Sequence, residues 1–322
     1  MNPAFDLSTR QKLYPMSALT RPTGGGLTQV DLPKAGILAG IILSIRGSVA
    51  GTLSAPNALG MASIIRRVTV RVNAGQVVFD VSGAGYHYLL RDMLDANGGR
   101  LGWTNARAAV TATTFILDMW IPISKDIRDQ MGLISLQNQA TLLNLAVDWE
   151  TDAVVATGAT VTGTATPTLV LFEVPTDPKA WPTFDTLHQV IEEQAAIPST
   201  ADYDHNIAIG GTIIGQYYLF SPGWTRAELR VQQSNIIYPM TPISHQAWFD
   251  MLTERDVTLS GALSGVDKRQ FLDFEGTDGL GQFGSLRDVI DTTQLSSFFN
   301  RITPVGAGTL FAVRRQIVNL AP

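Results

Sequence analysis

The chain has 322 residues, a net charge of −5, 45% hydrophobic residues and only 16% charged ones, where an average globular protein carries roughly 25%. The absence of cysteine excludes a disulfide framework and thiolate chemistry, and the negative balance excludes a surface that binds nucleic acid throughout. The longest apolar stretch, Ala35 to Ile45, falls short of the ~20 residues that span a bilayer, and the N-terminus has no signal-peptide core; the sequence reads as a soluble chain whose low charge fits burial of surface in an assembly.

Residues Met1 to Gly26 read as an irregular N-terminal arm, punctuated by Pro3, Pro15, Pro22 and Gly24-Gly25-Gly26. Arg10, Lys12 and Arg21 stand there against Asp6 alone, the pattern of a solvated basic tail or of an interaction arm. Val30-Asp31-Leu32-Pro33 gives a short strand and Ile37 to Arg46 a long buried one, followed by a Pro/Asn/Gly loop from Leu53 to Ala62. Arg66 to Leu94 is the most legible stretch. Val68, Val70 and Val72 alternate with polar residues, Asn73-Ala74-Gly75 is turn chemistry, and Val77 to Val81 returns as a second strand. After Gly83 and Gly85, the apolar residues Tyr86, Leu89, Leu90, Met93 and Leu94 recur at helical spacing until Asn97-Gly98-Gly99 stops them.

Phe115 to Ile123 predicts one strand, Asp126 to Met131 a polar turn, and Gly132 to Leu136 and Thr141 to Trp149 two more strands. Ala153 to Thr166 is Gly/Thr/Ala-rich, a long hairpin loop or a flat strand pair, and Leu169 to Val174 closes the first half. Pro175, Pro178 and Pro182 mark a linker, and Leu187, Val190 and Ile191 predict a short helix before Pro198. Asn206 to Gly211 opens the second half as Val30 to Lys34 opened the first, and Ile213 to Phe220 mirrors Ile37 to Ile45. Arg226 to Leu252 then repeats the strand–turn–strand–break–helix unit: Arg67/Arg226, Arg71/Arg230 and Val72/Val231 lie 159 residues apart. After one deleted residue, His87/His245, Asp92/Asp250, Met93/Met251 and Leu94/Leu252 lie 158 apart. A period near half the chain predicts two copies of one domain, since solenoid repeats run roughly 20–50 residues. Phe271 to Phe274, Phe298 to Ile302 and Leu310 to Val318 are the remaining predicted strands, and Gly276 to Gly284 is a loop. Many short strands with short turns predict all-β sandwiches. No acidic residue follows Asp291, whereas Arg301, Arg314 and Arg315 do, so the C-terminal end is basic as well.

Catalytic and metal-binding patterns find little support. The four histidines, at 87, 188, 205 and 245, show no HxH or HExxH spacing. Asp202-Tyr203-Asp204-His205 is the one compact ligand cluster and reads better as a polar turn before a strand; His87 and His245 read as solvated residues on the outer side of a helix. Gly83-Ala84-Gly85 lacks the lysine of a phosphate loop and the third glycine of a dinucleotide fingerprint, and no GxSxG elbow exists. Asp126/Asp129 and Glu192/Glu193 are carboxylate pairs of the kind any chain contains. The six tryptophans are scattered and fit core packing better than a sugar platform. No catalytic, cofactor-binding or metal residue is assigned, and the chain reads as a non-enzyme.

Val30-Asp31-Leu32-Pro33, the repeated unit at Arg67 to Leu94, and above all FILDMWIPISKDIRDQMGLISLQNQATLLNLAVD from Phe115 to Asp148 carry a family likeness. The last is similar to a pattern of apolar strand, Ile-Pro step, polar turn, Gly-Leu-Ile and long apolar strand. In these features the chain resembles the double jelly-roll major capsid proteins of tailless icosahedral viruses, the lineage of adenovirus hexon and membrane-containing bacteriophages. The resemblance implies an N-terminal arm over residues 1–26 and two tandem eight-stranded jelly rolls, at 27–176 and 177–322, each with a short helix after its fourth or fifth strand. It implies a pseudo-hexagonal homotrimer in a virion, made in the host cytoplasm, with neighbouring capsomers, penton and minor capsid proteins as partners and no cofactor. A small bacteriophage is the implied source. With both termini on the inner face, Arg10, Lys12, Arg21, Arg314 and Arg315 would meet genome or internal membrane lipid. The second roll has no clear Ile-Pro or Gly-Leu-Ile counterpart. The alternatives are a minor coat, spike or carbohydrate-binding tandem jelly-roll protein, or a glycan-acting enzyme.

Overall fold

The structure, a computed structural model, describes residues 10–73, 75–94, 103–104, 114–125, 132–136, 142–173, 186–232, 235–245, 268–274 and 289–319. The chain divides into two compact units, Met1–Ile191 with Asn319–Pro322, and Glu192–Val318. The boundary expected at 176/177, the turn at 126–131 and the loop at 276–284 lie outside the described residues.

In the first unit the strands are β1 (Arg10–Pro15), β2 (Leu19–Thr20), β3 (Gly26–Asp31), β4 (Ile37–Ala50), β5 (Ile65–Val72), β6 (Gln76–Val81) and β7 (Trp103–Thr104). They continue with β8 (Thr114–Leu117), β9 (Met119–Pro122), β10 (Ile134–Ser135), β11 (Leu143–Trp149) and β12 (Thr160–Glu173), and β13 (Thr186–Ile197) crosses the division. One sheet runs β1–β12–β4–β8–β7, with β9 and β10 also on β4. The other runs β3–β11–β5–β6, and β6 pairs in parallel with β13 at Val190 and Ile191. Period-two patterning makes the sandwich: Leu143, Leu145, Val147 and Trp149 of β11 are buried while Asn144, Ala146 and Asp148 turn outward. β4 is buried almost continuously from Ile37 to Leu43, because Leu133, Trp120, Val170 and Phe172 pack with Ile37, Ala39 and Ile42 in a separate apolar cluster.

The second unit holds β14 (Tyr203–Asn206), β15 (Thr212–Phe220), β16 (Trp224–Val231), β17 (Asn235–Met240), β18 (Arg269–Asp273), β19 (Ile290–Asp291), β20 (Phe298–Pro304) and β21 (Gly308–Asn319). One sheet is β14–β20–β16–β17, strand for strand the order β3–β11–β5–β6 of the first unit. The other places β18 and β19 on β15, with β15 beside β21 and β21 beside β13. That repeats β9 and β10 on β4, β4 beside β12, and β12 beside β1. Ile213, Tyr218, Phe220, Trp224, Leu229, Leu272, Phe298 and Ile302 are among its core residues.

Irregularities repeat along with the strands. β5–β6 shifts register between Val70 and Arg71, and β16–β17 between Leu229 and Arg230, 159 residues on. Asn73 and Gln232, again 159 apart, both take φ 51°, the left-handed residue of each hairpin turn. Ser82 caps the first helix by accepting from Gly85 N, and Thr241 caps the second by accepting from Ser244 N. The offset falls to 158 at His87/His245, where the first helix has a π turn, Tyr86–Leu90, which accommodates an extra residue. In β4, Ala39 bulges between Leu38 and Gly40, and its carbonyl takes the N–H groups of Ile123 and Ser124; in β15, Ile214 bulges between Ile213 and Gly215, and its carbonyl takes the N–H of Phe274.

Several expectations are corrected. Residues 10–26 of the N-terminal arm are not irregular: β1 and β2 pair with β12, because that 14-residue strand offers a long ladder edge. The helix predicted around Leu187 is β13, since its ladder partners outweigh helical spacing. Of the two readings of Ala153 to Thr166, a hairpin loop or a strand pair, Thr160 to Thr166 is strand and belongs to the long β12. Phe115 to Ile123 splits into β8 and β9 at Asp118, whose carboxylate binds Arg46 on both guanidinium nitrogens. Tyr203 to Asn206 is strand β14, not a turn.

Candidate interaction surface

The five basic candidates separate into two groups. Arg10 and Lys12 lie on β1, opposite Glu173 and Leu171 of β12, with the Lys12 side chain exposed. Arg21, Arg314 and Arg315 are buried instead, which corrects their placement on a surface facing genome or lipid. Arg21 donates to the carbonyls of Val161 (2.6 Å) and Glu150 (2.7 Å) and pairs with Asp152 at 2.6 Å, tying the end of β2 to both ends of the β11–β12 connection. Arg315 donates to Tyr217 Oη at 3.2 Å. Arg314 pairs with Glu193 Oε1 at 3.2 Å, and Glu193 Oε2 lies 3.5 Å from His205 Nε2. His205 Nδ1 in turn lies 3.5 Å from Tyr218 Oη. This chain of polar groups joins β14, in one sheet of the second unit, to β13, β21 and β15. The His205 contact, with help from Arg314, holds the Glu193 carboxyl below its ordinary value, and burial pushes the Tyr218 phenol upward.

Among the described residues, the Asp202–His205 cluster is also engaged in structural pairing; the Asp126/Asp129 pair lies outside them. Asp202 accepts from Thr303 and Asp204 from Arg301, so Asp202, Asp204 and His205 point to three separate partners. Arg301 lowers the Asp204 pKa, and Arg66 lowers that of Glu150 on the outward face of β5 and β11. Glu228 is buried between Arg226 and Arg230. All four histidines are buried, against the expectation of solvated rings at 87 and 245; His245 Nε2 takes the N–H of Phe271 at 3.0 Å and binds the second helix to β18. Trp149 and Trp224 are core residues. A cleft of about 500 Å³ runs beside Thr20, Ser48 and Thr162, but its guanidinium groups are committed, Arg21 to Asp152 and Arg46 to Asp118.

Large apolar side chains also stand outward among the described residues, Leu27, Leu142, Ile209 and Val305 singly and two groups at strands β1 and β17. Leu13 (58% exposed) and Tyr14 (40%) are neighbours on β1, and Ile236 (45%) and Ile243 (83%) lie on and just after β17. The signal of Leu13 and Tyr14 in the sequence is the failure of alternation in Gln11 to Pro15, which suits neither a half-buried strand nor a polar arm.

The fold matches solved viral coat structures over nearly its whole length. A protein in the atomic structure of Sulfolobus Turreted Icosahedral Virus aligns with a TM-score of 0.71 at 13% identity, covering 96% of this chain and 90% of that one. The major capsid protein P2 from bacteriophage PM2 aligns at 0.58 and 10% identity, covering 97% and 98%. A chain of the PBCV-1 virus capsid aligns at 0.61 and 9% identity, covering 97% and 94%. No protein-family model and no curated protein matches the sequence. The likeness is one of fold: an all-β chain of two tandem jelly rolls, the architecture of double jelly-roll major capsid proteins.

Proposed function

We propose that this chain is a structural subunit of an icosahedral viral shell, assembling as a homotrimer whose six rolls form a nearly hexagonal block. The observation that carries the reading is the duplicated roll, matched down to its bulges, in a chain that aligns over nearly its whole length with proteins of several icosahedral virus structures. Two further features support it. Only 16% of residues are charged, and large apolar side chains stand exposed on β1 and beside β17. Among the described residues, Asp202, Asp204, Glu193 and His205 hold strands together, which favours a shell role over an enzyme. The partners in this reading are first other copies of the chain, then penton and minor capsid proteins, in the virion after assembly in host cytoplasm. Of the five basic candidates, Lys12 is exposed on β1, the strand that also carries Arg10, and this segment is the one that would approach an anionic genome or lipid headgroup on the inner face.

Light scattering on the purified chain, followed by electron microscopy, tests this. The expected result is a particle of three chain masses with a hexagonal outline that packs into sheets or closed shells. A stable monomer at micromolar concentration, indifferent to salt, overturns it.

A further inference from the structure

The internal repeat makes one strand pairing comparable in its two settings. In the first unit β6 pairs in parallel with β13, Phe79 opposite Val190 and Asp80 opposite Ile191. Both members are covered: Leu187 to Val190 are buried, and so are Val78, Phe79 and the run from Val81 to Gly85. Each member has a counterpart elsewhere. β17 and the helical turn after it correspond to β6 and Gly83 to Gly85, by the shared 159-residue offset, bulge and cap. β1 corresponds to β13, because β1 lies beside β12 as β13 lies beside β21, and β12 and β21 are matched by the bulges of the strands they pair with.

The counterparts are bare. Residues 11–15 of β1 are all exposed. Ile236, Pro239, Thr241, Ile243 and Ser244 are exposed where Asp80 is half-buried and Ser82, Ala84 and Gly85 are buried. Ile243, 83% exposed, occupies the position of Ala84, 4% exposed. The two surfaces that meet once within the chain therefore exist a second time, exposed at these residues.

We propose that β1 of one copy docks against the Ile236–Ile243 edge of a second copy, repeating between chains the pairing of β13 with β6. The proposal rests on the reading above that copies of this chain assemble, and it names the surfaces that do so. The joint is head to tail, since each chain gives one surface and receives with another, and such joints close into rings or run on as filaments. With one joint inside each chain and one between chains, a ring of three contains six near-equivalent joints. Pro239 stands at the position of Asp80 and brings no N–H, so the β17 edge is guarded against arbitrary strands. Burial of Leu13, Tyr14, Ile236 and Ile243 then carries more of this joint than ladder hydrogen bonds do.

The native chain has no cysteine, so paired substitutions report contact directly. Leu13→Cys with Ile236→Cys, and Lys12→Cys with Ile243→Cys, are expected to give covalent trimers on mild oxidation, with no covalent trimer from any single variant. Leu13→Asp, at an exposed site, is expected to lower the trimer fraction at micromolar concentration at least tenfold with unchanged circular dichroism. Trimers that neither cross-link nor respond to Leu13→Asp overturn this joint and leave the shell reading standing. A native chain that is monomeric overturns both.

Discussion

Arg21 shows how little a charge count says about where a cation goes. Its guanidinium meets two carbonyls and a carboxylate contributed from 129 to 140 residues away, a contact no local pattern announces. Arg21→Ala strands those acceptors in a buried site, and the expected cost is about 2–4 kcal/mol in a denaturant titration of the subunit. Glu193 gives a pH dependence of definite sign. Its folded pKa is depressed by His205 and then Arg314, so its contribution is fully present above the ordinary carboxylate value and is lost as pH falls through the folded one. Protonation also leaves the buried Arg314 guanidinium without its carboxylate partner. Stability should hold down to about pH 5 and then fall, and Glu193→Gln should flatten that acid limb while costing only about 1 kcal/mol at neutral pH, because the side chain is 40% exposed. An unchanged acid limb in the variant would remove Glu193 from the account.

Among the elements, the bulged strands β4 and β15 set both rolls. Each places a glycine directly after its bulge, and each glycine lies under an aromatic ring, Gly40 under Trp120 and Gly215 under Tyr217. A Cβ at position 40 would fall within the Trp120 ring, so Gly40→Ala should cost about 1–3 kcal/mol, and much less in a Trp120→Leu background. Equal costs in the two backgrounds would show that backbone preference, not the ring, requires glycine. The strands with strict alternation, β5 and β11, were legible in the sequence because one face of each is buried and the other wet. β13 was not: buried residues at Leu187, Val190 and Ile197 satisfy a helical spacing as well as a strand, and the choice falls to partners far along the chain. β19, only Ile290-Asp291, takes the place on β15 that β10 holds on β4. Two residues carry no periodicity, so the sequence of the second roll shows no clear Gly-Leu-Ile counterpart. The candidate surface was legible only as a basic segment around Arg10 and Lys12; its apolar half emerged once the two copies could be compared for burial.

At the scale of the whole molecule, the prediction concerns how stability depends on amount. A subunit whose exposed apolar strands are covered by other copies gains stability by mass action, whereas a self-sufficient monomer does not. For a trimer that unfolds as it dissociates, each tenfold dilution removes about 0.9 kcal/mol per chain, and for 322 residues a hundredfold dilution should lower Tm by about 3 °C. The shift should survive raised salt, because Leu13, Tyr14, Ile236 and Ile243 are uncharged and screening acts on charge. It should vanish in Leu13→Asp, whose Tm should be low and independent of concentration. Thermal unfolding followed by intrinsic fluorescence across the dilution series, at two salt concentrations, measures all three quantities on the same samples. A native Tm that does not move with dilution while light scattering reports trimers would mean that the subunits part before they unfold. The joint would then be too weak to support a shell at those concentrations.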